Sequence, residues 1–369
     1  MTVSPTHPKR ELIVHSLSNN VLTLRMNMPK RLNGWTAPMM DALKSALDRA
    51  ARSAEVKALI LTGADPYYCA GVNLGGTLKL AHPKTLHRLI IEHNQALFDT
   101  FIGFQKPILV AVNGPAIGAA VTSATLCDGI IASENATFST PFAALGICPE
   151  GCSSVHFERL MNAHNAQRML GKEGWSPTAA QALQVGFVQW VVPHKELLTR
   201  AQAICEDWIR SDHQRSFRAG ATRDELKAIN ARESIELATC FLSRQFLKGQ
   251  WQFLWKKKKR RAALMFLSLW LTRPLWSLLL PHRAVGLSSM ATATYDDVGA
   301  PHTRSLKHHR SQLRTRDSAF YHLDFILNHL SSIDSVVLDW MLSRTHTCPF
   351  KSVNLDLNTP ICTRCGVAV

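Results

Sequence analysis

After Glu236 the chain contains no glutamate as far as Val369, although glutamate is among the commonest residues of ordinary folded domains. That absence sets the C-terminal stretch apart from the rest. No charged, then apolar, then small-residue series opens the chain, so a secretory signal is not expected. The nine cysteines are spread without a dense framework, which excludes a small disulfide-stapled scaffold and points to a reducing compartment. Cys127, Cys148 and Cys205 read as inert packing thiols. No apolar run stays unbroken for a bilayer's width. The best stretch, residues 262–280, has Arg273 and Pro274 in its middle, where charge is costly, so a membrane partner is not expected.

Against these absences, 46% of the 369 residues are hydrophobic, enough for one large core with chain to spare. Lys and Arg number 42 against 27 Asp and Glu, a net charge of +15. Such an excess suits an anionic partner or simply a basic soluble protein, and its position matters more than its size. From Lys256 onward there are 16 basic and 7 acidic residues, against 26 and 20 before it. The front of the chain is only mildly basic, and no nucleic-acid partner is expected.

"ELIVHSL" and "VLTLRMN", joined at Asn19 and Asn20, predict a hairpin of two short strands. "TAPMMDALKSALDRAARS" predicts a helix capped by Thr36, tolerant of Pro38 in its first turn, with Met39, Leu43, Ala46 and Leu47 as its apolar stripe. "VKALILTG" and "PILVAVNG" are buried strands with the helix "PKTLHRLIIEHNQALFDTFIGF" between them, which predicts a mixed α/β sheet with crossover helices. "GIIAS" and "ATFST" add short strands. The chain from Cys152 to about Arg210 is mostly helical around the strand "FVQWVV", and "RDELKAINARESIELATCFLSRQFLKGQWQFLW" is a final helical region. The character changes at "KKKKRR", residues 256–261, and a boundary is placed near 260.

Two glycine-containing turns follow two of these strands, "YYCAGVNLGG" and "NGPAIGAAVT". Turns of this kind present free backbone N–H groups to an oxygen atom, though glycine after a strand is also an ordinary turn. Downstream, "ATFSTPFAALGICPEGCSSVHFERLM" places Glu150 in a long stretch of apolar and small residues. It is either a charge at a helix N-terminus beside "GCSS" or a catalytic group with a raised pKa.

The segments "YYCAGVNL", "KPILVAVNGPAIGAAVT", "CDGIIASENATFSTPFAALGICPEGCSS" and "GFVQWVV" occur in an order that resembles the crotonase superfamily, most like the peroxisomal delta3,delta2-enoyl-CoA isomerases. The resemblance runs from about Glu11 to Trp255. It implies a spiral of repeated β-β-α units over 1–200, a helical oligomerisation region over 201–260 that builds a homo-trimer or hexamer, and an acyl-CoA substrate. No separate cofactor or metal is implied, because CoA is part of the substrate. It also implies that the backbone N–H groups of Val72 and Ala119 form an oxyanion hole and that Glu150 is the single base. Cys69, Ala70, Gly71, Asn73 and Gly118 fall where the family's backbone meets CoA. Asn73 replaces the family's usual Asp. Lys30 and Arg31 lie where cations meet CoA phosphates, or are a solvated pair.

The same resemblance separates double-bond isomerisation from hydration. Hydratases of the superfamily use two glutamates, at positions occupied here by Thr122 and Phe142, neither of which titrates near neutral pH. Glu150 sits instead in the isomerases' "PEG" setting, where Phe142, Leu145 and Ile147 are placed to raise its pKa. The expected reaction moves a double bond from the 3- to the 2-position of an enoyl-CoA; another crotonase activity, or an idle CoA-binding scaffold, are the alternatives. The extension, residues 261–369, is expected to be poorly ordered or to come from a mistaken reading frame. Within it His346, Cys348, Cys362 and Cys365 have zinc-like spacing but only one close pair, so no metal is expected. The chain ends "GVAV" and not in an "SKL" signal, so a peroxisomal location rests on resemblance alone, with the cytoplasm otherwise.

Overall fold

In the computed structural model, residues 11–72 and 81–280 are described. Asn19 and Asn20, at φ 48° and 64°, supply the left-handed turn that pairs β1 (Ile13–Ser18) with β2 (Val21–Met26) in register Ser18↔Val21. Four parallel strands extend this hairpin. The sheet order is β1-β2-β3-β4-β6-β8, with β3 at Ala58–Gly63, β4 at Ile108–Val112, β6 at Gly129–Ser133 and β8 at Trp190–Val192. β3, β4 and β6 are buried along their whole length, which is why they read as unbroken apolar runs.

Alternate side chains of these strands feed two cores. Leu59, Leu61, Val110 and Val112 face a core shared with α1 (Ala37–Arg52) and α2 (Pro83–Gly103); Ala58, Ile60, Leu109 and Ala111 face one closed by Leu197, Ala201 and Cys205 of α7 (Leu197–Arg210). The expected cap forms. Thr36 accepts from the Met39 N–H, and Met39, Leu43, Ala46 and Leu47 are buried.

The expected β-β-α repeat appears twice in succession. β4 is followed by β5 (Ala116–Ile117) and α3 (Ala119–Thr125), and β6 by β7 (Phe138–Ser139) and α4 (Phe142–Leu145). The short second strands, β5 and β7, pair in a sheet of their own. Helices α5 (Ser153–Leu170) and α6 (Ala179–Gln184) then lead to β8. Asp128, with a fully buried side chain, ties the later chain to this scaffold. It accepts from the Ile108 and Ser216 N–H groups and pairs with Arg215 at 3.0 Å.

α8 (Arg223–Phe241) lies along α2, with Asn230 donating to Asp99 and Asn94 donating to Ser234, both at 3.0 Å. The boundary expected near 260 falls inside a helical arm and not before it. α9 (Arg244–Lys256) packs on α10 (Arg260–Trp276) through a stacked Trp251–Trp270 pair and a Phe246–Phe266 edge contact, and Arg273 donates to the Leu242 carbonyl at 2.7 Å. Arg273 and Pro274 therefore sit within a packed helix pair. By length and composition alone Arg260–Leu279 is long and apolar enough to cross a membrane.

Cys148 departs from its expected role as a packing thiol, because it forms a disulfide with Cys240, 92 positions away, at a Cα–Cα distance of 6.5 Å. That distance suits a bridge. Cys127 and Cys205 are buried free thiols, as expected. The zinc-like residues of the extension lie outside the described residues.

Candidate active site

Two loops meet above the C-terminal ends of β3 and β4. The first, residues 64–72, is held by Asn33, whose amide donates to the Ala64 and Tyr67 carbonyls at 2.7 Å each. Asn113, just past β4, accepts from the Gly63 N–H at 3.1 Å and donates to Asp65 at 2.8 Å. Cys69 pairs with Ala116 in a parallel bridge, and the Ile117 N–H donates to the Cys69 carbonyl at 3.0 Å. Here the chain must be glycine. Gly71 has φ +76°, and a Cβ on it would lie 2.6 Å from the Ile117 carbonyl oxygen.

These contacts leave two donors unused. The Gly71 carbonyl accepts from Trp35 and the Gly118 N–H donates to the Ser139 carbonyl, both at 2.8 Å. The next N–H on each loop, Val72 and Ala119, donates to no acceptor among the described residues. Both residues line one cavity of about 620 Å³, together with Ala70, Gly71, Gly118 and Glu150. The two donors that the resemblance singles out and the expected base therefore share one space.

Glu150 is 7% exposed, and its carboxylate receives no hydrogen bond from the described residues. Its backbone oxygen, by contrast, accepts from the Ser153 hydroxyl at 2.7 Å. Burial, and secondarily the negative charge of Glu233, push the Glu150 carboxyl up to about 8. Phe142, Leu145 and Ile147 line the cavity beside it. A carboxyl of this kind can both take and return a proton near neutral pH.

The other sequence candidates are placed less uniformly. Cys69 is wholly buried, its sulfur accepts from the Gly71 N–H at 3.3 Å, and it does not line the cavity. Lys30 and Arg31 are exposed on the short 3-10 turn Pro29–Arg31, and neither is among the lining residues. Asn73 lies outside the described residues. Thr122 is buried, with its hydroxyl donating to the Ala119 carbonyl at 3.3 Å, while Phe142 is part of the cavity wall. Among the described residues no group of three or more His, Cys, Asp or Glu side chains is placed to hold a metal ion.

Sequence reasoning overlooked three contributions. α2 and α8 build the far wall with Leu86, Ile90, Leu97, Leu237 and Phe241, which in the sequence look like ordinary core positions. Lys44 of α1 lines the cavity and is exposed. Glu233, in "ARESIEL", is wholly buried, and burial pushes its carboxyl up to about 7.

The family model described as Enoyl-CoA hydratase/isomerase matches residues 16–260. An uncharacterized Caenorhabditis elegans protein is 34% identical over 241 residues, covering 62% of this chain and 91% of that one. Human enoyl-CoA delta isomerase 2 is 32% identical over 269 residues, covering 68% of this chain and 64% of that protein, so the chain spans just under two thirds of the human relative. Among solved structures, an enoyl-CoA hydratase/isomerase from Pseudoalteromonas atlantica superposes with a TM-score of 0.57 at 27% identity, over 66% of this chain and 97% of that one.

Proposed function

The chain belongs to the enoyl-CoA hydratase/isomerase family, and from that premise we propose that it moves the double bond of a 3-enoyl-CoA to the 2-position with Glu150 as its only proton carrier. The observation that carries this reading is one buried carboxylate facing a cavity that also holds two N–H donors with no acceptor among the described residues, and no second acid at Thr122 or Phe142. The C2 proton of a thioester is weakly acidic until charge growing on the carbonyl oxygen is stabilised. The Val72 and Ala119 N–H groups are fixed before substrate arrives, and each such donor contributes roughly 3 kcal/mol in comparable oxyanion holes.

Glu150 then takes the C2 proton, the electrons spread over a dienolate, and the same carboxyl returns the proton at C4. The trans-2-enoyl-CoA results. Water activation would need a second carboxylate, and the apolar Phe142 occupies one of the two places for it. Because the carboxyl titrates at about 8, the reactive ionised form grows as pH rises through that value.

An acyl-CoA substrate, a homo-trimer or hexamer and a peroxisomal location are part of the same proposal. Light scattering and the position of a fluorescent fusion test the last two. The reaction itself is tested by turnover of a 3-enoyl-CoA, followed by conjugated-enoyl absorbance, in wild type and Glu150→Gln, beside a 2-enoyl-CoA hydration assay. Isomerisation lost with Glu150 supports the reading. Hydration without isomerisation overturns it, and silence in both assays from a folded protein that binds CoA points to a scaffold.

A further inference from the structure

Helix α5 begins at Ser153, so its unpaired N–H groups are close in sequence to Glu150. A helix start offers free donors and partial positive charge, both of which would draw a nearby carboxylate into hydrogen bonds and make it a weak base. Here the donors are taken. Glu233, reaching across from α8, accepts from the Cys152 N–H at 2.6 Å and from the Ser154 N–H at 2.9 Å. The Ser153 hydroxyl and N–H turn to the backbone oxygen of Glu150, at 2.7 and 3.3 Å. The Cys152, Ser153 and Ser154 N–H groups are thus all engaged away from the Glu150 carboxylate.

The turn so held is an unusual one. Gly151 and Cys152 both have left-handed backbone, at φ 64° and 65°, and a Cβ on Gly151 would come within 2.5 Å of the Phe98 ring. Cys152 is not a glycine, so its conformation persists only where neighbours impose it. The bond from Glu233 to its N–H is one such restraint.

We propose that Glu233 is a positioning residue for the proton shuttle, occupying the donors of the α5 start, fixing the Glu150–Ser154 turn and setting a second negative charge behind the base. The inference rests on the isomerase reading for its kinetic consequence but not for its electrostatic one. Other charged or titratable groups facing this pair are Arg232 on α8, Asp99 on α2 and the Cys152 thiol, which burial and then Glu233 push well up. Burial raises both carboxyls, and the charge of Glu233 raises that of Glu150 further.

Two substitutions separate charge from reach. Glu233→Gln removes the charge and leaves one N–H facing an amide donor, whereas Glu233→Asp keeps the charge on a shorter arm. The acid limb of kcat/KM for 3-enoyl-CoA isomerisation is expected to move down by about one pH unit in Glu233→Gln and to stay in place in Glu233→Asp, with the plateau lowered in both. A residue that only braced the helix would lower both plateaus and move neither limb, and that result overturns the proposal. The Glu150 pKa, followed by carbon NMR of a labelled carboxylate, tests the electrostatic part without turnover. A fall in Glu233→Gln upholds the inference even if the wild-type protein proves not to isomerise, and an unchanged value sinks it. Loss of the isomerase reading alone appears as an inactive wild type or an active Glu150→Gln.

Discussion

The two sides of the cavity reach their chemistry by opposite routes. In the proposed reaction, the working atoms on the Val72 and Ala119 side are backbone N–H groups, aimed by a glycine pressed against a carbonyl and by asparagine side chains that pin the loops. On the Glu150 side, the proposed base is a side chain whose properties come from burial, from Glu233 and from the lack of a hydrogen bond from the described residues. The first is a problem of shape and the second one of charge. Shape survives most side-chain changes but not the addition of one methyl group in the wrong place, while charge can be removed without disturbing the fold.

That contrast makes ordered predictions. Glu150→Gln should cost about a thousandfold in turnover and leave the thermal midpoint unchanged or higher, since it removes a buried group whose ionisation burial opposes; a matching loss of stability would break the contrast. Gly71→Ala should cost about a hundredfold in kcat together with lowered stability, because the new Cβ meets the Ile117 oxygen at 2.6 Å. Activity lost without stability, read by calorimetry, would mean that the loop yields.

A smaller effect is expected from pH. Glu150 and Glu233 are raised above their ordinary values when folded, so the folded protein binds more protons than the unfolded chain between the ordinary carboxylate range and about 8. Their contribution is complete at low pH and is lost as pH rises through about 7 and about 8, on the order of a few kcal/mol. Denaturant melts of wild type and Glu233→Gln should show the decline shrinking in the variant. Gly118→Ala should do least, because nothing lies within 4 Å of the added Cβ and only the positive φ of +61° is strained. Gly118 has ψ −128°, outside the left-handed helical region, so a stability cost of about 1–3 kcal/mol with the reaction largely intact sharpens the contrast with Gly71.

The same division explains what was legible beforehand. The Asn19–Asn20 hairpin, the Thr36 cap and the buried strands follow from local pattern, and Glu150 stands out as the acid in a long apolar stretch. Glu233 does not stand out, because "RDELKAINARESIEL" is rich in charge and its hydrogen-bond partners lie 79 and 81 positions away. The Cys148–Cys240 bridge is hidden for the same reason, across 92 positions. Periodicity reports which helix face is apolar but not what meets it, so α8 read only as part of a helical oligomerisation region although it forms a cavity wall. Nor does the run "KKKKRR" end the folded region, since a cationic surface turn and a domain boundary look alike in one dimension.

Leu86, Ile90, Leu97, Leu237 and Phe241 come from helix faces that carry none of the reacting groups. Such a wall can be recontoured one side chain at a time while the donors and the base stay where they are. On α8 that freedom is bounded, since Leu237 stands one helical turn from Glu233, and the wall and the group behind Glu150 share a helix.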